Sequence, residues 1–334
     1  MSQIETSQPN TSFPSARRGV TKGRMASLVL VGILVILAAP FLGRSLEGDT
    51  GQFVLWQLRV PRVLMAVLVG ATLATVGAVY QTLLANPLAA PSTVGTTAGA
   101  TLGALVAVLF LPATSLAGLP AIATAAFVGA LFVTFLLTTL AQNGRVSVND
   151  VLLLGVAISL AAGAISAGLQ YVADQTSLAV AVRWSLGHLP QVGYEGVLFL
   201  TPWVVVTLIV LLRQTRALES WIAGEEVAHS QGVDVVRLRT VGLGMGALGV
   251  SAVVAWCGPI AFVGLIVPHI VRMLFGSSRR ILIPASALSG AVFLVACDTA
   301  ARLVFPGREL PVGVLTAAIG APMLIYLVSK RRVS

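Results

Sequence analysis

Long apolar runs separated by short polar and charged segments dominate this chain. From residue 25 onward ten runs follow one another, at 25–42, 63–84, 94–110, 121–140, 151–171, 197–212, 241–257, 260–275, 281–296 and 312–328. Most approach the ~20 apolar residues a helix needs to cross ~30 Å of hydrocarbon, so the pattern predicts an all-α polytopic integral membrane protein with about ten transmembrane helices. Within a run the apolar residues are contiguous, as at 151–157, whereas a transmembrane β-barrel would alternate them with polar ones. The third, eighth and ninth runs are short and marked by Gly or Pro.

Residues 1–24 are rich in Ser, Thr and Pro and then turn basic, with Arg17, Arg18, Lys22 and Arg24. That composition predicts a disordered cytoplasmic tail. The run behind it is longer than a signal-peptide core and further runs follow, so it reads as an uncleaved first helix of a membrane domain over 25–334. With an inner N-terminus and ten crossings, fourteen of the 21 Lys and Arg residues fall on the inner side. Basic residues favour cytoplasmic loops, so both termini are expected inside a bacterial cell membrane. Charged residues make up only 10% of the chain, against roughly 25% in soluble domains. The net charge of +9 lies mainly in loops and tails without interleaved aromatics, so lipid is the expected surroundings and nucleic acid is not an expected partner.

Residues 258–272 read GPIAFVGLIVPHIVR. Gly258, Pro259, Gly264 and Pro268 all disfavour a helix interior, and freed backbone groups in lipid must be satisfied by protein or a lined cavity. A broken apolar segment of this kind fits a packed multi-span protein, either as a kinked structural helix or as part of a transport pathway. Energy for transport has no visible source in the chain. The two lysines, Lys22 and Lys330, sit in no phosphate-binding loop. None of the twelve acidic residues falls in the middle of a run, which weighs against an ion-coupled secondary transporter. No catalytic triad or metal-ligand cluster stands out, and no mid-run polar constellation favours an intramembrane enzyme. No catalytic residue, metal or cofactor is therefore expected on this chain. Cys257 and Cys297 read as buried, inert thiols.

Several words occur in a fixed order: Arg59-Val60-Pro61-Arg62, Asn86-Pro87-Leu88-Ala89, Trp184-Ser185-Leu186-Gly187, the broken segment, Asp298-Thr299-Ala300-Ala301-Arg302, Glu309-Leu310-Pro311-Val312-Gly313 and Gly320-Ala321-Pro322. Through this set, from about residue 57 to 332, the chain resembles the FecCD and BtuC-like permease subunits of ABC importers for iron-siderophores, haem or vitamin B12. The resemblance implies a permease paired with a second copy or a paralogue, and a cytoplasmic ABC ATPase dimer holding ATP and Mg. It also implies an extracytoplasmic substrate-binding protein. The expected cargo is a ferric siderophore, with haem or cobalamin as alternatives.

In the loop near 213–240, Gly224, Ala228 and Gly232 recur at i, i+4 and i+8, one face of a short helix. On spacing alone that face suits a groove on another protein or a solvated loop. The resemblance implies that Gly224, Glu225, Glu226, Ala228 and Gly232 dock on the ATPase. It likewise implies that Arg59, Arg62 and Arg302 pair with acidic residues of the binding protein, although interfacial arginines also simply snorkel. Small residues recur at Gly155, Ser159, Gly163 and Ala167, and at Gly313, Ala317 and Ala321, a spacing that lets helices approach closely. By the resemblance, both stripes are candidate walls of the translocation pathway.

Overall fold

A computed structural model describes residues 16–43, 51–111, 115–116, 119–142, 148–191, 193–304 and 309–331. Helix α1 (Ala16–Ala38) comes first; α2 (Gly51–Phe53) runs through a π turn at Val54–Arg59 into α3 (Val60–Leu83). There follow α4 (Thr96–Phe110), α5 (Ala121–Gln142), α6 (Val148–Val172), α7 (Gln175–Ser185), α8 (Glu195–Arg213), α9 (Thr215–Trp221) and α10 (Glu225–Ser230). The chain continues through α11 (Val235–Cys257), α12 (Val263–Phe275), α13 (Arg279–Leu303) and α14 (Val312–Arg331). Strand among the described residues is limited to one antiparallel pair, Ser115–Leu116 with Leu119–Pro120. The chain is all-α.

Each of the ten apolar runs coincides with a helix. Among the described residues, six stretches are long and apolar enough to cross a membrane: Gly23–Phe41, Gly51–Leu83, Leu153–Val172, Glu195–Arg213, Val235–Cys257 and Arg279–Leu303. The apolar helices Thr96–Phe110, Ala121–Leu137, Val263–Phe275 and Val312–Tyr326 are shorter. Helix α1 begins at Ala16 rather than at 25, taking up residues 16–24 of the expected tail; no proline follows Pro14 there, and Ala, Arg and Lys favour helix. Residues 1–15 lie outside the described residues.

Helix α3 is the hub, buried over most of its length between α8, α11, α12 and α13. Lipid tails are as apolar as Leu, so helices in a membrane are held by close packing rather than by the hydrophobic effect. Glycine makes that approach possible. A Cβ on Gly77 would lie 1.8 Å from the Gly264 carbonyl oxygen of α12, and one on Gly70 would lie 2.2 Å from that of Gly290 on α13. The opposite condition holds along α1 and α6, where Leu30, Leu34, Leu37, Leu153 and Leu160 are exposed.

The helix breaks are satisfied by named groups. Pro268 has no N–H, so it leaves the Gly264 carbonyl without its helical partner. The Gln81 side chain of α3 replaces it, with Nε2 donating to the carbonyls of Gly264 at 3.3 Å and Leu265 at 3.2 Å. Where α11 ends, the Cys257 carbonyl accepts from the backbone N–H of His188 at 2.8 Å. Both cysteines are buried.

Candidate functional site

At one end of the bundle, hereafter the Arg62 end, four charged side chains meet. Arg62, in the first turn of α3, is only 5% exposed; its Nη2 lies 2.9 Å from Asp298 Oδ1, and Nε donates to the same oxygen at 2.9 Å. Its Nη1 donates to Glu309, just ahead of α14. Arg302 sits one turn beyond Asp298 on α13, its Nε 3.3 Å from Oδ2, an ion pair without hydrogen-bond alignment. Arg302 also donates to the carbonyls of Ala39 at 3.1 Å and Leu42 at 3.3 Å, at the end of α1. Half-buried Arg59 donates from Nη1 to the Pro40 carbonyl at 3.2 Å. The three arginines singled out in the sequence thus gather around one point. There Arg62 and Arg302 hold carboxylates of their own chain, partners that no sequence spacing announces.

Glu309 extends the cluster to the stretch after α7, where Gln191 Nε2 donates to both of its carboxylate oxygens, at 3.0 and 2.9 Å. Burial raises the Glu309 pKa, but the hydrogen bond and charge of Arg62 outweigh it and leave the carboxyl below the usual glutamate value. Burial, and then the charges of Arg62 and Arg183, hold His188 below the usual histidine value, so its imidazole is neutral at physiological pH. These groups edge a cavity of about 890 Å³ that Leu178, Val182 and Pro311 line with apolar surface.

Three sequence words converge beside that cavity. Gly187 (φ +69°) and Gly258 (φ +68°) both take left-handed backbone conformations that glycine adopts most readily. A Cβ on Gly187 would lie 2.2 Å from the Pro259 carbonyl oxygen, and one on Gly258 would lie 2.3 Å from that of Trp184. Gly313 joins them, donating its N–H to Gly187 at 3.0 Å. The ends of α7 and α11 and the start of α14 are therefore fixed to one another by backbone contact.

At the opposite end, the Arg239 end, the loop near 213–240 folds as α9 and α10. Here the structure corrects the expected helical face. Helix α10 covers only Glu225–Ser230, so Gly224 and Gly232 lie outside it. The N–H of Val233 reaches the Ala228 carbonyl at 3.0 Å and that of Gly232 reaches His229 at 2.9 Å, a Schellman ending that stops the helix. Ala228 is fully buried, as is Leu218 of the neighbouring α9. What α10 presents outward is Glu225, Glu226, Val227, His229 and Ser230.

The two small-residue stripes also divide. Gly155 is buried against the backbone of Thr93 and Val94, and Ser159 donates to the Gly155 carbonyl at 2.8 Å. Gly163 has no neighbour within 4 Å of an added Cβ and, with Ala167, is exposed. On α14, Gly313 is buried, Ala317 half-buried and Ala321 exposed.

The chain matches the FecCD transport family over residues 25–330. The Cobalamin import system permease protein BtuC of Halobacterium salinarum is 41% identical over 286 residues, covering 85% of this chain and 76% of that one. The Hemin transport system permease protein HmuU of Yersinia pestis is 34% identical, covering 93% and 98%. The Fe(3+)-citrate import system permease protein YfmE of Bacillus subtilis is 34% identical, covering 91% and 94%. Among solved structures, a transporter described as being of the metal-chelate ABC type, in an inward-facing conformation, superposes with a TM-score of 0.84 at 30% identity, covering 92% of this chain and 99% of that one.

Proposed function

The chain belongs to the FecCD transport family, and from that premise we propose that it is the permease subunit of an ATP-driven importer of metal chelates, with ferric siderophores first among them. The observation that carries this reading is the match in sequence and fold over nearly the whole chain. It is a multi-pass membrane protein of the plasma membrane. All ten apolar helices cross, in this reading, with both termini in the cytoplasm. ATP and Mg bind on a separate ATPase dimer, a substrate-binding protein delivers cargo to the Arg62 end, and a second permease, identical or paralogous, completes the pathway. The exposed apolar face of α6 around Gly163 suits such a partner. ATP shifts the pathway between outward and inward access only if it binds the two states differently.

Cobalamin, hemin and ferric citrate, the cargoes in the relatives' names, all hold a metal in an organic ligand. Cells lacking the chain, and the same cells with it restored, should therefore be compared for uptake of labelled ferric siderophores, haem and cobalamin. Restored ferric-siderophore uptake supports the reading. Rescue of haem or cobalamin alone moves the cargo within the class, and rescue of none rejects the class.

Two variants probe the docking surfaces. Gly232 has a φ of +79° and open space around it, so any side chain there strains the backbone by roughly 1–2 kcal/mol. Gly232→Ala should retain most uptake, whereas Gly232→Trp, with the same strain plus bulk at the ATPase surface, should abolish uptake while still inserting. Normal uptake by Gly232→Trp removes the loop from docking. At the other end, Arg59→Glu removes neither of the ion pairs that Arg62 makes with Asp298 and Glu309. It should weaken association with the binding protein on the order of tenfold and reduce its salt sensitivity; unchanged docking over a salt titration rejects that role.

A further inference from the structure

We propose that the cavity at the Arg239 end is an anion site that takes a phosphate group, either free or as the headgroup of an anionic phospholipid. The cavity holds about 600 Å³ and lies between α9, the ends of α3 and α12, and the start of α13. Three guanidinium groups line it: Arg239, Arg272 and Arg279. Among the described residues, the single acidic one in its wall is Glu225, 63% exposed and 3.8 Å from Arg239, a pairing that water screens. Glu219 is nearby, but its carboxylate accepts from the backbone N–H groups of Arg279 and Arg280 and from Ser278, where it caps α13.

The protein satisfies two of them, Arg239 and Arg279, only in part. Arg272 donates to Gln81 at 3.1 Å, and Arg279 donates from Nη1 to the Ser277 carbonyl. Arg279 is only 9% exposed, and among the described residues the buried Nε groups of Arg239 and Arg279 have no hydrogen-bond partner. A buried, unpaired donor on a charged group is costly. An anion with several acceptor oxygens meets both needs, because guanidinium forks match phosphate in a bidentate geometry.

The surroundings suit a lipid. Trp221 forms one wall, its ring 5.4 Å from the Arg239 guanidinium carbon and its Nε1 donating to the Thr82 carbonyl at 3.2 Å. Tryptophan favours the membrane interface, and basic pockets between helices bind anionic headgroups. Met273 and Leu274, beside Arg272, are 65% and 51% exposed and offer apolar surface for an acyl chain. This inference goes beyond the transport reading, and its readout needs neither cargo nor ATPase, so its failure leaves that reading standing.

The test is ligand binding by the full chain purified in neutral detergent, followed by native mass spectrometry and Trp fluorescence. The probes are phosphatidylglycerol, diacylglycerol with the same acyl chains, and inorganic phosphate. Saturable binding of phosphatidylglycerol but not of diacylglycerol is expected. It should weaken roughly tenfold, the scale of one charge-assisted hydrogen bond, in Arg239→Gln and in the charge-conserving Arg279→Lys. It should be unchanged in Arg237→Gln, an exposed neighbour on α11. Arg239 is 28% exposed, so its variant should retain the fold, as a melting curve will show. Binding of inorganic phosphate with the same variant dependence identifies the free ion as a sufficient ligand. Equal binding of diacylglycerol, indifference to both Arg239→Gln and Arg279→Lys, or no saturable binding of either phosphate probe overturns the proposal.

Discussion

Asp298→Ala should destabilise the chain by about 3–5 kcal/mol, the scale for removing one partner of a buried ion pair. Asp298 is 1% exposed and lies between Arg62 and Arg302, themselves 5% and 8% exposed. Losing the carboxylate leaves two buried cations whose other links run to Glu309 and to the carbonyls at the end of α1. The measurement is the yield and thermal stability of the purified variant. The double variant Arg62→Met/Asp298→Leu should cost less than the two single changes combined, because it removes a cation together with its anion. Strictly additive costs would mean that the two residues do not act as a pair.

Gly77→Val should be the most damaging apolar substitution in the bundle. The added Cβ would lie 1.8 Å from the Gly264 carbonyl oxygen, and the Gly264 Cα is only 2.6 Å away. Backbone rather than a flexible side chain stands in the way, so α3 and α12 must separate. Overpacking typically costs about 1–3 kcal/mol, and a main-chain clash belongs at or above the top of that range. Separation would also pull Gln81 from the carbonyls it satisfies beside Pro268. Gly163→Ala is the matched control, with nothing within 4 Å of the new methyl; inside α6 it should cost no stability and raise it by up to about 1 kcal/mol. Comparable losses in both variants would show that general helix effects, rather than the α3–α12 crossing, set the cost.

The helices were legible because each apolar run carries its own signal of length and composition. The broken segment was legible for the same local reason: Gly258, Pro259 and Pro268 stand in the sequence whatever they pack against. The groups that satisfy the breaks were not, because Gln81 lies 183 residues from Gly264 and no periodicity links them. The same holds for the Arg62 end. Its arginines could be singled out as rare charges at the ends of apolar runs, but Asp298 and Glu309, 236 and 247 residues from Arg62, become its partners only through the crossing of α3 and α13. The loop near 213–240 shows the opposite failure. Small residues four apart implied one continuous helical face, yet Gly232 ends the helix, and Ala228 faces inward because α10 must bury some surface against α9. Nothing in the sequence separates Gly70 and Gly77 from the rest of the 33 glycines, since only the fold says which glycine meets another backbone.

The central assignment, an import pathway driven by ATP hydrolysis on a separate subunit, is tested most directly in liposomes. The chain, reconstituted with its ATPase and binding protein, should accumulate a labelled ferric chelate only when ATP is supplied on the ATPase side. Accumulation should persist when ion gradients are collapsed. Transport that proceeds without ATP and disappears with the ion gradient would contradict the assignment and make the chain an ion-coupled carrier.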